Sequence, residues 1–147
     1  MTLSKRQATE ADREFVQAVH HRAYRDVVER QYGRWDETAQ EKYFETAWIA
    51  TAHEIILCDN LACGYCSIEF LADEVFVSEL VIDPEFQGRG IGTRIMEEVI
   101  NQAVARRIPV RLQTHIVNRA AELYRRLGFR ERGRTGTHIV MEWTHME

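Results

Sequence analysis

Residues 79–92 read Glu79-Leu80-Val81-Ile82-Asp83-Pro84-Glu85-Phe86-Gln87-Gly88-Arg89-Gly90-Ile91-Gly92. An apolar strand pattern ends at Pro84, and three glycines at alternate positions then lead into a helical pattern. Such a turn points successive backbone N–H groups at one spot, and glycine lets a ligand approach because it has no Cβ. The start of the helix adds partial positive charge. The segment predicts a site for a phosphate or pyrophosphate group, and a glycine turn without a ligand is the alternative.

Two common nucleotide-binding motifs do not fit this segment. The P-loop requires a Gly-Lys pair followed by Ser or Thr, and that pair is absent. The dinucleotide fingerprint G-x-G-x-x-G fails as well, because counting from Gly88 the third glycine position holds Thr93. The ligand is therefore expected to be neither a nucleoside triphosphate nor a nicotinamide dinucleotide.

The periodicity along the chain predicts the order β-α-α-β-β-β-α-β-α-β-β. The strands are predicted at residues 3–7, 54–58, 61–71, 74–82, 110–116, 129–134 and 137–143. A first helix starts near a capping box of Thr9 and Asp12 and ends before Gly33. A second is capped by Asp36 and has Ala39, Tyr43 and Phe44 as its apolar stripe; a third follows the glycines with Ile91, Ile95, Val99 and Ala103; a fourth runs from Asn118 to Leu127. This order indicates a mixed sheet with helices on both faces.

A second motif lies about thirty residues after the glycines. It consists of Asn118, Ala120, Ala121, Leu123, Tyr124, Leu127, Gly128 and Phe129. This pattern resembles the N…A…LY…LGF motif of the GNAT superfamily of N-acetyltransferases. The earlier Gln87-Gly88-Arg89-Gly90-Ile91-Gly92 resembles that family's Q/R-x-x-G-x-G/A motif, which cradles the pyrophosphate of acetyl-CoA. The resemblance covers the whole chain in element order, and the two motifs together are specific.

The resemblance implies one α/β domain over residues 1–147, with a mixed, mostly antiparallel central sheet flanked by helices and splayed at strands 4 and 5. It implies an acetyl-CoA-dependent N-acetyltransferase that transfers acetyl directly to a primary amine. The alternative is a non-catalytic acetyl-CoA-binding sensor or interaction domain. The acceptor is expected to be a small-molecule amine or a peptide, including a protein N-terminus or a lysine.

The resemblance also assigns roles to particular residues. The expected cofactor-binding residues are Leu80, Val81 and Ile82 along the pantetheine arm, Gln87, Gly88, Arg89, Gly90, Ile91, Gly92 and Thr93 around the pyrophosphate, and Asn118 and Tyr124. Tyr124 takes the position of the general acid, and Glu79 on the strand beside the reaction centre is the candidate base. Helix packing is the alternative for Tyr124. The acceptor site is expected in the first two helices and their loop, at Tyr24, Glu29, Tyr32 and Trp35.

The overall composition limits the kinds of binding partner that are expected. The chain has 147 residues and a formal net charge of −4, so no basic surface for nucleic acid is expected. No signal peptide or membrane-length apolar run is visible, which predicts a cytoplasmic protein without a membrane partner. Cys63 and Cys66 have C-x-x-C spacing but lie in a strand pattern, so all three cysteines are interpreted as buried thiols. All six histidines are interpreted as surface residues, no metal is expected, and a homodimer is possible.

Overall fold

The computed structural model describes residues 1–145 of the chain. The strands are β1 (Leu3–Gln7), β2 (Glu54–Cys58), β3 (Leu61–Phe70), β4 (Val75–Ile82), β5 (Val110–His115), β6 (Arg130–Arg134) and β7 (His138–Trp143). The α-helices are α1 (Arg13–Tyr32), α2 (Glu37–Ala47), α3 (Ile91–Arg106) and α4 (Ala120–Arg126). The strands form a seven-stranded sheet in the order β1-β2-β3-β4-β5-β7-β6. The predicted element order is therefore confirmed.

The sheet is mixed and mostly antiparallel. The pairs β1–β2, β2–β3, β5–β7 and β6–β7 are antiparallel, whereas β4 and β5 run parallel. The parallel ladder begins at Val75 with Val110 and ends at Val77 with Leu112, although both strands continue. A ladder this short agrees with the splay predicted between strands 4 and 5.

The described chain divides into two compact units. The first contains residues 1–67 and 79–91, and the second contains residues 68–78 and the segment from Gly92 onward. The core of the first unit is formed by Ala8, Val16, Val19, Phe44, Ile55, Tyr65 and Val81. The prediction of one N-acetyltransferase domain over residues 1–147 stays a prediction.

Local hydrogen bonds set the ends of the first two helices. The Thr9 backbone N–H donates to the Asp12 carboxylate at 2.8 Å, in a short 3-10 turn that leads into α1. Gly33 ends α1 with a φ of 90°. The Asp36 carboxylate then accepts the Ala39 backbone N–H at 3.0 Å and starts α2. These three end signals match the sequence predictions.

The second unit is built around the apolar face of α3. Its residues Ile95, Met96, Val99 and Ala103 are buried, and the inward faces of β5 and β7 are buried too. The spacing of these α3 residues is that of one helical face, so burying them fixes which side of the helix meets the sheet.

Two strands end one residue earlier than their apolar patterns suggest. The Leu71 N–H donates to the Glu74 carbonyl at 2.9 Å, so residues 71–74 form a turn and β4 starts at Val75. Likewise the Asn118 N–H donates to the His115 carbonyl at 3.0 Å, and β5 ends at His115 rather than at residue 116. Side-chain periodicity alone does not reveal such backbone turns.

Some predictions about burial are wrong. His20 and His53, interpreted as surface residues, are only 6% and 5% exposed. His20 lies on the α1 face that carries Val16 and Val19, and position along a helix decides burial more strongly than residue type. The α2 stripe is wrong for Tyr43, which is 63% exposed.

Two further properties follow from the described residues. All three cysteines are free and buried, as predicted. Within residues 1–145, no helix combines the length and the hydropathy that crossing a bilayer requires.

Candidate active site

The glycine turn between β4 and α3 is the first part of the site. A 3-10 turn, Pro84–Phe86, follows β4, and the Gln87 side-chain amide donates back to the Ile82 carbonyl at 2.9 Å. Gly88 and Gly90 have φ values of 80° and 78°, a backbone region that L-residues with a Cβ rarely adopt. A Cβ at either glycine would have no atom within 4 Å. The turn therefore combines a glycine-dependent backbone with open space beside it.

The helix that follows contributes the remaining predicted phosphate-binding residues. Ile91 is the first residue of α3 and is buried, while Gly92 and Thr93 come next and are half-buried. Arg89 donates to the Glu85 carbonyl at 3.3 Å, and its guanidinium lies 5.0 Å from the centre of the Phe86 ring. The free N–H groups at the start of a 16-residue helix can hold an anion.

An ion pair connects the end of β4 to α1. The Asp83 side chain is 7% exposed and receives the Arg22 guanidinium at 2.7 Å. The Asp83 backbone N–H also donates to the Cys63 carbonyl in β3 at 2.8 Å. Asp83 is thus held by two elements directly before the glycine turn begins.

Glu79 is held by two partners that come from other elements. The buried Tyr65 hydroxyl donates to Glu79 Oε2 at 3.1 Å, and His53 Nε2 lies 3.5 Å from Glu79 Oε1. The Glu79 side chain keeps 28% of its surface exposed, so it remains in reach of a ligand. Alternation along β4 puts Glu79 on the face of Val77 and Val81. The Tyr65 hydroxyl and the His53 ring are polar partners of its carboxylate there.

Burial and the nearby carboxylate change the pKa values around Glu79. Burial, helped by the Glu79 charge, raises the pKa of the Tyr65 hydroxyl well above its usual range. Burial lowers the pKa of His20 to about 4. Burial would also lower the pKa of His53, but its hydrogen bonds to Glu79 and the Ile49 carbonyl raise it overall. His53 is thus the histidine here whose charged form the protein favours.

Tyr124 and Asn118 belong to the second unit. Tyr124 is 6% exposed, and its ring centre lies 5.6 Å from that of Phe129. Burial raises the Tyr124 pKa to about 12. The Asn118 side-chain oxygen accepts the Ala120 backbone N–H at 2.9 Å and so serves as a cap of α4. Arg119 stands at the N-cap position itself without a side-chain hydrogen bond, so the capping oxygen comes from the residue before it.

The predicted acceptor residues have mixed environments within the first unit. Tyr24 is half-buried, with its ring centre 4.8 Å from that of His20. Trp35 packs edge-on against His21. Glu29 pairs with Arg25 at 3.5 Å on the exposed surface of α1, and Tyr32 is 53% exposed.

The sequence did not identify His53 and Tyr65 as partners of Glu79. A signal was present, because a carboxylate on the inward face of a strand requires a buried donor nearby. Residues 1–145 contain no group of three or more His, Cys, Asp or Glu side chains arranged to hold a metal ion.

Comparison with known proteins identifies a family model and two relatives that this chain matches. Residues 44–131, more than half of the chain, match the family model described as "Acetyltransferase (GNAT) domain". An uncharacterized N-acetyltransferase of Methanocaldococcus jannaschii is 34% identical over 93 residues, which cover 62% of this chain and 38% of the relative. The ribosomal protein bS18 alanine N-acetyltransferase of Salmonella typhimurium is 30% identical over 78 residues, covering 52% of this chain and 53% of the relative.

The fold is shared with solved structures at lower identity. The crystal structure of the PaiA N-acetyltransferase from Thermoplasma acidophilum, in complex with coenzyme A, has a TM-score of 0.78 and 18% identity. The match covers 99% of this chain and 100% of that one. The matched segments span 38% and 53% of the two sequence relatives, so the chain matches about half or less of their length. The family model and the shared fold both agree with the two motifs, and the chain belongs to the GNAT acetyltransferase family.

Proposed function

We propose that this chain is an acetyl-CoA-dependent N-acetyltransferase, an acyltransferase that transfers acetyl directly to a primary amine. The observation that carries the proposal is the turn at Gly88 and Gly90, whose left-handed glycines face open space directly before α3. The family model includes this turn within residues 44–131. A pyrophosphate requires such a cradle of backbone N–H groups without a Cβ in the way.

The residues present fit acetyl-CoA. The backbone N–H groups of residues 87–92 and the Thr93 hydroxyl would hold the pyrophosphate, and Arg89 supplies a positive charge within the turn. The backbone of Leu80, Val81 and Ile82 would pair with the pantetheine arm as an added strand pairs. Acetyl-CoA, when bound, supplies a thioester carbonyl, which the Val81 N–H would polarise.

Two side chains would move the protons. The Glu79 side chain is 28% exposed and has two polar neighbours, which suits a group that accepts the proton of the acceptor amine. Burial raises the pKa of Tyr124 to about 12, so it carries its proton at neutral pH, and in this proposal that proton goes to the leaving thiolate. Asn118 caps α4, which carries Tyr124. In this proposal Glu79 accepts a proton from the amine, and Tyr124 supplies one to the thiolate.

The acceptor is proposed to be a primary amine on a small molecule or a peptide. The Salmonella relative acts, by its description, on an alanine of a ribosomal protein, which supports a peptide amine as one class. Tyr24, Tyr32, Trp35 and Glu29 supply the rings and the carboxylate that a cationic amine would contact. A single domain over residues 1–147, a cytoplasmic location and a homodimer are part of the same proposal.

Calorimetric titration with acetyl-CoA tests this function. We expect micromolar binding, retained in part by desulfo-CoA, which keeps the pyrophosphate, and absent for NADH. Gly90→Ala should weaken acetyl-CoA binding at least tenfold, whereas Gly136→Ala, at a glycine with open space and an ordinary φ, should not. No binding at millimolar acetyl-CoA would overturn the proposal.

A thiol-release screen then separates an enzyme from a sensor. Amines, polyamines, amino acids and peptides are each supplied with acetyl-CoA, and released CoA thiol is measured. Turnover with at least one primary amine is the expected result. Tight acetyl-CoA binding without turnover on any acceptor would favour the non-catalytic acetyl-CoA-binding domain instead.

A further inference from the structure

His53 lies between a backbone carbonyl and a carboxylate. Its Nδ1 is 2.7 Å from the Ile49 carbonyl oxygen, and its Nε2 is 3.5 Å from Glu79 Oε1. The other Glu79 oxygen accepts the Tyr65 hydroxyl. The groups therefore form one continuous chain: the Ile49 carbonyl, the His53 ring, the Glu79 carboxylate and the Tyr65 hydroxyl.

This arrangement fixes the tautomer of His53. A peptide carbonyl can only accept a hydrogen bond, so Nδ1 must carry a hydrogen in both charge states of the ring. Nε2 is then the nitrogen that gains or loses a proton. It faces Glu79, so a proton that arrives on the carboxylate has a defined next position.

We propose that His53 accepts, through Glu79, the proton that leaves the acceptor amine, so that the two side chains act as one base. The inference rests on the proposed function. His53 does not touch the amine and is therefore a positioning residue, whereas Glu79 is the residue in contact.

Acid–base chemistry gives a reason for such a pair. An alkylammonium has a pKa of about 10 and an isolated Glu about 4.3, a mismatch of roughly six units. An ordinary imidazole, at about 6.5, reduces that mismatch by roughly two units, or about a hundredfold in the proton-transfer equilibrium. The Glu79 hydrogen bond and charge raise the pKa of His53 further despite its burial.

The other titratable groups near the pair do not compete with it near neutral pH. From α1, His20 has a pKa of about 4 and is uncharged. From β3 and α2, the Tyr65 and Tyr43 hydroxyls have raised pKa values and keep their protons. The remaining ring against His53 is Trp48, at 5.0 Å between ring centres, which does not titrate. His20, Tyr65 and Tyr43 therefore keep their charge state near neutral pH.

With Glu79 and His53 as the base, every proton in the reaction has a donor and an acceptor. A protonated amine, R–NH3⁺, loses one proton to Glu79, which passes it to His53 Nε2. The free amine forms a C–N bond to the acetyl carbon, and the C–S bond breaks with its electron pair on sulfur. The second nitrogen proton is lost as the amide forms, and the thiolate gains one to become a thiol. The proton on His53 leaves to solvent.

The first test is an NMR titration of the ring C–H signals of His53 in the ligand-free full chain. We expect a midpoint above that of an ordinary imidazole in the wild type, and a midpoint at least one pH unit lower in Glu79→Gln. The exposed His145 supplies an internal reference that should not move. Equal His53 midpoints in the wild type and Glu79→Gln would overturn the proposal, and this result does not depend on acetyl-CoA.

The second test is the pH profile of kcat/KM for His53→Gln. The Gln side chain can still donate to Glu79 but cannot take a proton, so this variant separates positioning by hydrogen bond from proton acceptance. We expect kcat to fall about ten- to a hundredfold, the rising limb of the profile to move, and the acetyl-CoA Kd to stay within about twofold. His145→Gln is the control for loss of a histidine. An unchanged rising limb in a folded His53→Gln protein would overturn the proposal, even if acetyl-CoA binding and turnover support the proposed function.

Discussion

Gly64 in β3 lies so close to β4 that a side chain there would meet backbone atoms. A Cβ at this position would overlap the Val81 carbonyl oxygen and approach the Ile82 Cα to 3.1 Å. Because a backbone cannot turn aside as a side chain can, β4 would have to shift. Gly64→Ala should therefore lower the free energy of unfolding by about 1–3 kcal/mol, measured by urea denaturation.

The matched control is Gly133→Ala in β6, where a Cβ would meet nothing within 4 Å. This variant should change the free energy of unfolding by no more than about 0.5 kcal/mol. Since Val81 and Ile82 are proposed to line the pantetheine arm, Gly64→Ala should also weaken acetyl-CoA binding. Equal effects of the two substitutions on stability would contradict the close approach of β3 to β4.

The Tyr124 hydroxyl carries a separate prediction. Tyr124→Phe keeps the ring that packs on Phe129 but removes the proposed proton donor. We expect kcat to fall about a hundredfold or more, with the acetyl-CoA Kd within about twofold of wild type. The high pKa of about 12 also predicts no loss of activity from Tyr124 ionisation below about pH 10. Steady-state kinetics with the best amine substrate measures both, and full activity in Tyr124→Phe would remove Tyr124 from the mechanism.

Between elements, the Arg22–Asp83 ion pair ties α1 to the segment that enters the glycine turn. Asp83 is buried and Arg22 is half-exposed, so removing the guanidinium leaves a carboxylate with little solvent. Arg22→Gln should lower the free energy of unfolding by about 1–2 kcal/mol, less than for a fully buried pair because solvent screens Arg22. It should also weaken acetyl-CoA binding, since the turn begins directly after Asp83.

Arg25→Gln provides the comparison on the same helix. Arg25 pairs with Glu29 four residues along, and both side chains are about half exposed. An exposed pair of this kind contributes about 0.5 kcal/mol or less. If thermal and urea unfolding gave the same loss for Arg22→Gln and Arg25→Gln, the pair with Asp83 would not be holding the turn.

The elements were largely predictable because their signals are local. Asp36 and Gly33 mark helix ends with hydrogen bonds or backbone angles only a few residues away. The turn at Gly88 and Gly90 could be recognised for the same reason. The partners of Glu79 could not, because His53 and Tyr65 come from other elements, and Tyr65 is 14 residues away in sequence. The alternation of side chains along β4 predicted the face of the sheet on which Glu79 lies, but it could not predict which residues contact Glu79 there.

For the molecule as a whole, two buried histidines make stability depend on pH in opposite directions. His53 has a raised pKa, so the stability it adds is present below the unfolded imidazole value and is lost as pH rises through its folded pKa. His20 has a pKa lowered from 6.5 to about 4, so the unfolded chain binds a proton in this range that the folded chain does not. Stability that depends on neutral His20 is therefore present above about pH 6.5 and falls as the pH drops towards 4.

Replacing His20 with an aromatic residue that cannot titrate isolates the contribution of His20 to the pH dependence of the free energy of unfolding. Lowering the pKa of His20 from 6.5 to about 4 corresponds to at most about 3 kcal/mol of stability, lost at a slope of at most about 1.4 kcal/mol per pH unit. His20→Phe should keep the ring contacts with Tyr24 and Phe44, so its free energy of unfolding should fall less than that of the wild type between pH 6.5 and 4. Urea unfolding at half-unit steps measures the difference, and His145→Gln, at an exposed position, should follow the wild-type curve. Parallel curves for His20→Phe and the wild type would mean that His20 binds its proton as readily in the folded protein as in the unfolded chain, and the lowered pKa would then be wrong.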